Sequence, residues 1–140
     1  MPGEPRPCVL DTSALLCLQL DESGASQVVE VLEKLGPSRR VFASFISYME
    51  FFYVVSQRKG DDAARKAYAE LRLLPIQVVE SDEQLGLAAA RIKATTKLSL
   101  GDAWVAATAE RLGAQLLHKD PEFEPLEGKI SLRALPYKRG

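Results

Sequence analysis

The stretch of residues 99–120 constrains the fold most, because it joins a helix to a buried strand through a very short connection. Ser99 can cap a helix whose alanines allow close packing, and Gly113 is suited to end that helix. Residues 114–117 then form an apolar run of strand length. A helix that leads so tightly into a buried strand is typical of α/β folds.

The rest of the chain repeats this alternation of short apolar runs and helical segments. Strands are predicted at about 8–10, 41–43, 76–79 and 114–117, with an edge strand at 130–132. Helices are predicted at about 12–20, 23–35, 45–58, 61–73, 81–95 and 99–112. The first can begin at Thr12 or Ser13 and the second at Ser23 or Ser26, and the fifth is opened by a capping box of Ser81 and Gln84. We therefore expect a three-layer α/β/α sandwich around a central, mostly parallel sheet of four to five short strands.

The composition suits one globular domain spanning residues 1–140, with residues 1–7 as a flexible, proline-rich leader. Of the 140 residues, 46% are hydrophobic and 26% are charged, which is enough apolar material for a core. The first apolar run, residues 9–20, is interrupted by polar residues at 11–13 and by Gln19, so it is neither a signal-peptide core nor a membrane span. We expect a cytoplasmic protein.

The cysteines and the net charge bear on two questions, whether the chain has a disulfide and whether it attracts nucleic acid. Cys8 and Cys17 lie in apolar surroundings without metal-ligand spacing, which favours buried reduced thiols over a disulfide. The formal net charge of −1 gives no global attraction for nucleic acid. If four of the acids belong to an internal metal site, the remaining charges sum to +3, which leaves room for a locally basic rim.

Four carboxylates occupy positions that are unusual for a solvated surface. Asp11 and Asp120 each follow a buried strand, so both should emerge at the carboxyl edge of the sheet, where open α/β folds bind ligands. Glu50 lies on a mostly apolar helical face with no Lys or Arg within one turn. Asp102 lies in the first turn of its helix with apolar neighbours three and four residues away.

These four acids would need a cation if they converge. Charges about 4 Å apart repel by roughly 4 kcal/mol per pair at an effective dielectric near 20. Carboxylate oxygens favour Mg²⁺ or Mn²⁺. The alternatives stay open for each residue: Asp11 and Asp102 as ordinary helix-capping or first-turn acids, Asp120 as a turn residue before proline, and Glu50 paired with a base distant in sequence.

Three segments of the chain resemble a known family: V-L-D-T-S-A-L near the start, L-G-D-A-W-V-A-A-T-A in the middle and L-L-H-K-D-P-E-F near the end. Together with an acid in the helix after the second strand, they are similar to the PIN-domain ribonucleases, especially the VapC-type toxins of toxin–antitoxin pairs. The resemblance covers nearly the whole chain. It implies that Asp11, Glu50, Asp102 and Asp120 bind Mg²⁺ or Mn²⁺. We favour Asp11 and Asp102 as the direct ligands, with Glu50 and Asp120 binding a second ion or holding waters. Thr12 or Ser13 matches the polar residue that follows the first Asp of the family.

The chain departs from the family pattern at two positions. His118 stands where the family usually has Thr or Ser, and Glu122 stands where it often has Asp. A lone histidine after a buried strand is more often a packing or hydrogen-bonding residue than a catalyst, and we expect that of His118.

The function implied by the resemblance is hydrolysis of RNA phosphodiesters by a cation-activated water, in the toxin of a toxin–antitoxin pair. The expected substrate is single-stranded or looped RNA. The resemblance also implies a homodimer and a cognate antitoxin, and the apolar helix segment 45–55 carries more apolar surface than one core stripe needs. Candidates for phosphate contacts are Arg39, Arg40, Arg58, Lys59, Arg91, Lys93 and Lys97.

Two other classes of function remain open. One is a catalytically degenerate PIN fold that acts only as an interaction module. The other is a receiver-like phosphorylation module, which would need adjacent acids after the first strand and a phosphorylatable Asp after a central strand. After Val79 the chain offers Glu80 and Asp82, in a capping region.

Overall fold

A computed structural model describes residues 5–138, which form a three-layer α/β/α sandwich. The strands are β1 (Cys8–Leu10), β2 (Val41–Ser44), β3 (Gln77–Val79), β4 (Gln115–His118) and β5 (Ser131–Ala134). The helices are α1 (Thr12–Gln19), α2 (Ala25–Leu35), α3 (Phe45–Lys59), α4 (Asp61–Arg72), α5 (Glu83–Thr95) and α6 (Leu100–Leu112), with a short 3₁₀ helix at Pro121–Leu126. All five strands are parallel in the order β3-β2-β1-β4-β5, which confirms the predicted fold class.

Alternate side chains of the central strands divide the core into two halves. Cys8 and Leu10 of β1 pack with α1, α2, α3 and α4 on one face of the sheet, together with Leu117 of β4. Val9 and Leu116 point to the opposite face and pack with α5, α6 and the 3₁₀ helix. Both faces of the central strands are therefore covered, which explains why these strands are continuous apolar runs in the sequence.

The order of the strands creates a crevice at the carboxyl ends of β1 and β4. From β1 the chain moves outward to β2 and β3 on one side, then crosses the sheet to β4 on the other side of β1. Leu10 and Leu117 are direct partners in the β1–β4 register. Asp11 follows β1 directly, and Asp120 lies two residues beyond β4. Such a switch in strand order is where open α/β sheets bind their ligands.

The helix ends explain most of the local structure, and one predicted cap is wrong. Ser99 caps α6 by accepting a hydrogen bond from the Asp102 amide at 3.1 Å, and Gly113 ends that helix with a φ of 59°. The cap of α5, however, is Asp82, which accepts from the Leu85 amide at 2.8 Å. The predicted cap, Ser81, instead accepts a hydrogen bond from the indole of Trp104 at 3.0 Å.

The other predicted boundaries agree with the structure to within three residues. The strand predicted at 114–117 is shifted by one residue and the edge strand at 130–132 begins one residue later and ends two later. The 3₁₀ helix had not been predicted. Met1–Glu4 of the predicted leader lie outside the described residues, while the carbonyls of Pro5 and Pro7 accept hydrogen bonds from Arg40 and Gln115.

Both cysteines are buried and free, which confirms the prediction of reduced thiols. Within residues 5–138, none of the helices combines the length and the apolar character that crossing a bilayer requires.

Candidate active site

Asp11 is the most buried of the four acids and has one oxygen left without a partner. Its side chain is 2% exposed, and Oδ2 accepts hydrogen bonds from the amide and the hydroxyl of Ser13. Oδ1 is buried and finds no hydrogen-bond partner among the described residues. The pKa of Asp11 is raised to about 6. Burial is the main cause and the charge of Glu50 adds to it, whereas the hydrogen bonds from Ser13 lower the pKa. An unpaired buried carboxylate oxygen fits a ligand of a cation.

Glu50 lies in the middle of α3 and is held by a residue from the first turn of α1. The Thr12 hydroxyl donates a hydrogen bond of 2.6 Å to Glu50 Oε1. On its other side the carboxylate lies against α6, where a Cβ built on Gly101 would come within 2.9 Å of Oε2. The lack of a side chain at Gly101 therefore lets this carboxylate approach the beginning of α6. The partner of Glu50 is thus a hydroxyl and not a distant base.

Asp102 lies in the first turn of α6, and its pKa shows that the other three carboxylates lie nearby. Its pKa is raised to about 7, first by burial and then by the negative charges of Asp11, Asp120 and Glu50. These three residues come from the ends of β1 and β4 and from α3, so acids from three other elements lie near enough to Asp102 for their charges to act on it. An exposed first-turn acid would have an ordinary pKa, because nothing would oppose its ionised form.

Asp102, Asp120 and Glu122 form a group with metal-binding spacing. Each offers a carboxylate oxygen, and these oxygens all lie within 4.8 Å of one another. Asp120 caps the 3₁₀ helix, since its Oδ1 accepts from the Glu122 amide at 2.9 Å. Glu122, which the sequence suggested only as a supporting residue, is therefore a direct ligand candidate. A hard divalent cation suits such a set of oxygens.

His118 lies beneath the site and orients Asp120. It is 1% exposed and packs against Phe123, with the ring centroids 5.2 Å apart. Its Nδ1 accepts a hydrogen bond from the Asp120 amide at 3.1 Å, which leaves the proton on Nε2. Burial lowers the pKa of His118, so the ring is neutral at physiological pH. This environment is that of a packing and hydrogen-bonding residue.

Ser13 ties together the ends of the two strands that carry Asp11 and Asp120. Its hydroxyl donates to Asp11 Oδ2 and accepts from the Lys119 amide at 2.9 Å. The hydroxyl of Ser13 thus holds Asp11 in place and, through the backbone amide of Lys119, fixes the position of the neighbouring Asp120. Both hydroxyls named in the sequence analysis, those of Thr12 and Ser13, support an acid of the site.

The basic residues singled out in the sequence are divided between the two edges of the sheet. Arg58, in the last turn of α3, lines a cleft together with Ser13 and Asp120. Arg39 and Arg40 precede β2 and therefore lie at the amino edge, away from a phosphate bound at the acids. The remaining candidates are exposed and lie at the end of α3, on α5 or in the link to α6: Lys59, Arg91, Lys93 and Lys97.

The receiver-like alternative lacks its expected acids. Asp82 is engaged as the cap of α5 and accepts two hydrogen bonds from Arg111. The residue after Asp11 is Thr12, so no second acid is adjacent to it.

A family model of the PIN domain matches residues 8–129. The chain belongs to the PIN domain family. PIN domains are nucleases and generally use a divalent metal, which agrees with the acidic cluster of this PIN domain.

Solved structures with the same fold as this PIN domain include several toxin–antitoxin proteins. A toxin–antitoxin complex from Klebsiella pneumoniae has a TM-score of 0.70 at 18% identity and covers 94% of this chain and 99% of its own. VapBC2 from Rickettsia felis, bound to a promoter DNA fragment, has a TM-score of 0.73 at 15% identity and covers 92% and 98%. The sarcin–ricin-loop-cleaving toxin VapC20 from Mycobacterium tuberculosis has a TM-score of 0.68 at 19% identity and covers 86% and 95%. No curated protein matches the chain in sequence.

Proposed function

We propose that this PIN domain is a Mg²⁺- or Mn²⁺-dependent ribonuclease that hydrolyses single-stranded or looped RNA and acts as the toxin of a VapBC-type pair. The observation that carries the proposal is the convergence of four carboxylates at the switch in strand order. Asp11, Glu50 and Asp120 all raise the pKa of Asp102 through their charges. Such a cluster is costly in a folded protein unless it binds a cation.

The residues present fit a hard divalent cation. Asp102, Asp120 and Glu122 would hold it, and Asp11 would contribute its unpaired Oδ1. When bound there, the cation lowers the pKa of a water molecule and neutralises charge that develops on the phosphate.

The chain's own residues leave water as the nucleophile. The Ser13 hydroxyl is engaged by Asp11 and Lys119, and the Thr12 hydroxyl donates to Glu50. Both cysteines are buried. Glu50, whose orientation is fixed by Thr12, is suited to orient the attacking water and accept its proton. His118 has its Nδ1 occupied and serves to position Asp120.

Two observations support RNA as the substrate and a toxin as the role: the family of the chain and the location of the site in a cleft at the edge of the sheet. Splayed bases of a single strand or loop reach an edge cleft more easily than a stiff duplex does. Several solved structures of similar fold are toxin–antitoxin complexes, which supports a cognate antitoxin as partner. We expect a basic side chain of that antitoxin to reach the acids. Met49 and Tyr53, exposed by 53% and 51% on α3, provide apolar surface for a homodimer or for that partner.

The decisive experiment compares cleavage of labelled single-stranded RNA in Mn²⁺ and in chelator. We expect cleavage only with the metal, and a loss of roughly 10²-fold or more for Asp102→Asn. Asp62→Asn is the matched control, because Asp62 is also a first-turn acid but is exposed on α4. Metal binding without cleavage of any RNA would instead identify a catalytically degenerate interaction module.

The natural substrate and the antitoxin have to be identified in the host organism. Sequencing of RNA ends after induction would identify the cleaved RNA, and a pull-down would recover the antitoxin. We expect the wild type, but not Asp102→Asn, to generate new RNA ends.

A further inference from the structure

A cleft of about 230 Å³ opens directly beside the acids, and its lining includes the acid Glu22 and three cations that the proposed chemistry has not used. Ser13 and Asp120, both residues of the site, form one side of it. Arg58, from the last turn of α3, and Lys138, from the segment after β5, contribute to the rest of its lining. The cleft is therefore continuous with the place where a phosphodiester would react.

Of the cations around this cleft, Arg58 and Lys138 are accessible and Lys119 is not. The Lys119 side chain is 4% exposed, and its Nζ donates to the Ser23 carbonyl at 2.7 Å. Lys138 is 61% exposed and pairs with Glu22 at 2.8 Å. Glu22 is only 17% exposed, but it also lies 3.6 Å from Lys119 Nζ, so its charge stays paired when the exposed Lys138 turns to a phosphate.

The acidic site itself repels a polyanion, so RNA needs cations that lie beside the acids. Arg58 follows Glu50 by eight residues in the same helix, which places its Cα about 12 Å further along the axis. Arg58 lines the cleft together with Lys138, whereas Asp102 and Glu122 of the metal-binding group are not among its lining residues. Arg58 is therefore placed to bind a phosphate that flanks the reacting one.

We propose that Arg58 and Lys138 form a subsite for the phosphate adjacent to the one that is cleaved. The RNA backbone then continues from the acids past Ser13, over the beginning of α1. This inference rests on the proposed ribonuclease function, because it takes the occupant of the cleft to be the same RNA strand. An acidic segment of a protein partner is the competing occupant.

The test measures RNA binding separately from cleavage. Fluorescence anisotropy of a labelled single-stranded RNA is recorded over a range of salt concentrations with full-length Asp102→Asn, which binds without cutting. Because each phosphate contact on a single strand contributes about 0.7 to the slope of log affinity against log salt, Arg58→Gln and Lys138→Gln should each lower that slope by about 0.7. Lys129→Gln is the control, because Lys129 is exposed and lines a separate pocket at the amino edge.

A second measurement uses the active protein and separates binding from chemistry. Arg58→Gln should raise KM several-fold and leave kcat nearly unchanged, since the flanking phosphate is bound equally in the ground state and the transition state. Arg58→Lys, which keeps the charge, should restore most of the affinity. Circular dichroism of each variant verifies that the fold is retained.

The possible results separate this inference from the proposed function. If the three glutamine variants share one salt slope while the wild type cleaves RNA, the subsite is wrong and the ribonuclease stands. If Arg58→Gln and Lys138→Gln weaken only the binding of an acidic partner peptide, the cleft is a protein-docking surface and the inference fails. If Asp102→Asn binds no RNA at all, both the subsite and the RNA substrate are overturned.

Discussion

Replacing Asp102 by asparagine should stabilise the metal-free protein at high pH, although it removes an acid from the site. The folded protein raises the pKa of Asp102 from its ordinary 3.8 to about 7. Folded Asp102 therefore keeps its proton up to about pH 7, whereas the unfolded chain loses it near pH 4. Because the folded state binds more protons in this window, the wild type loses stability as the pH rises from about 4 to 7.

The size of the effect follows from the same shift. Each pKa unit corresponds to 1.36 kcal/mol, so the two pH units between 5 and 7 give an upper bound of about 3 kcal/mol. Asp102 is partly exposed, and screening by water reduces this figure. We expect the free energy of unfolding of Asp102→Asn to gain about 2 kcal/mol relative to the wild type between pH 5 and pH 8 in chelator.

Urea denaturation in chelator at the two pH values measures this difference directly. Asp62→Asn is again the matched control: it should cost about 0.3 to 1 kcal/mol through the lost helix-dipole interaction and show no gain between pH 5 and pH 8. Adding Mn²⁺ should raise the stability of the wild type, by about 2.7 kcal/mol at 100 times the dissociation constant, and most of that rise should be absent in Asp102→Asn.

One result would refute the reasoning. If Asp102→Asn is less stable than the wild type at pH 8 in chelator, and Mn²⁺ changes neither protein, then Asp102 is an ordinary first-turn acid and the carboxylates do not form a charged cluster.

Three further predictions concern His118, Gly101 and the exposed face of α3. His118→Thr should retain most of the cleavage activity, because His118 orients Asp120 and does not transfer a proton; a general acid would cost roughly 10²-fold. Gly101→Ala should lower cleavage by about 10- to 10²-fold without loss of stability, because its methyl group would lie 2.9 Å from Glu50 Oε2 while alanine favours the helix. Light scattering should find a dimer, since α3 exposes Met49 and Tyr53.

Gly101→Ala has a matched control variant, and the other two predictions each have an outcome that would contradict them. For Gly101→Ala the control is Gly86→Ala on α5, where a new Cβ would make only an ordinary contact of 3.5 Å with Trp104 and activity should be unchanged. A loss in His118→Thr as large as that in Asp102→Asn would assign His118 to the chemistry. A monomer at tens of micromolar, with no partner recovered from the host, would contradict both proposed assemblies.

Most of the fold could be predicted because its signals are local. The strand at Cys8–Leu10 was located without error, since a parallel strand buried on both faces is a continuous apolar run. Ser99 and Gly113 mark the ends of α6 through hydrogen bonds within their own turns. Where a distant residue intervenes, the prediction fails: the Ser81 hydroxyl is taken by Trp104, so the cap of α5 passes to Asp82.

The site was predictable in its acids but not in their partners. The position of Asp11 and Asp120 after buried strands follows from the general rule for parallel sheets. The Thr12–Glu50 hydrogen bond joins residues 38 positions apart, and no local pattern indicates such a pairing. Lys138, in the tail after β5, likewise gave no signal in the sequence and becomes a candidate only through the cleft that it lines.

The local and the metal-binding interpretations of these acids, which the sequence left as alternatives, are compatible because a carboxylate has two oxygens. Asp11 caps α1 with Oδ2 and leaves Oδ1 buried and unpaired, and Asp120 caps the 3₁₀ helix with Oδ1. Each capping hydrogen bond fixes the orientation of the carboxylate, so that the other oxygen faces the neighbouring acids. Since asparagine is an equally good N-cap, Asp11→Asn should preserve α1 while removing the charge that binds a cation. An amide substitution therefore separates the contribution of these residues to the fold from their contribution to the chemistry.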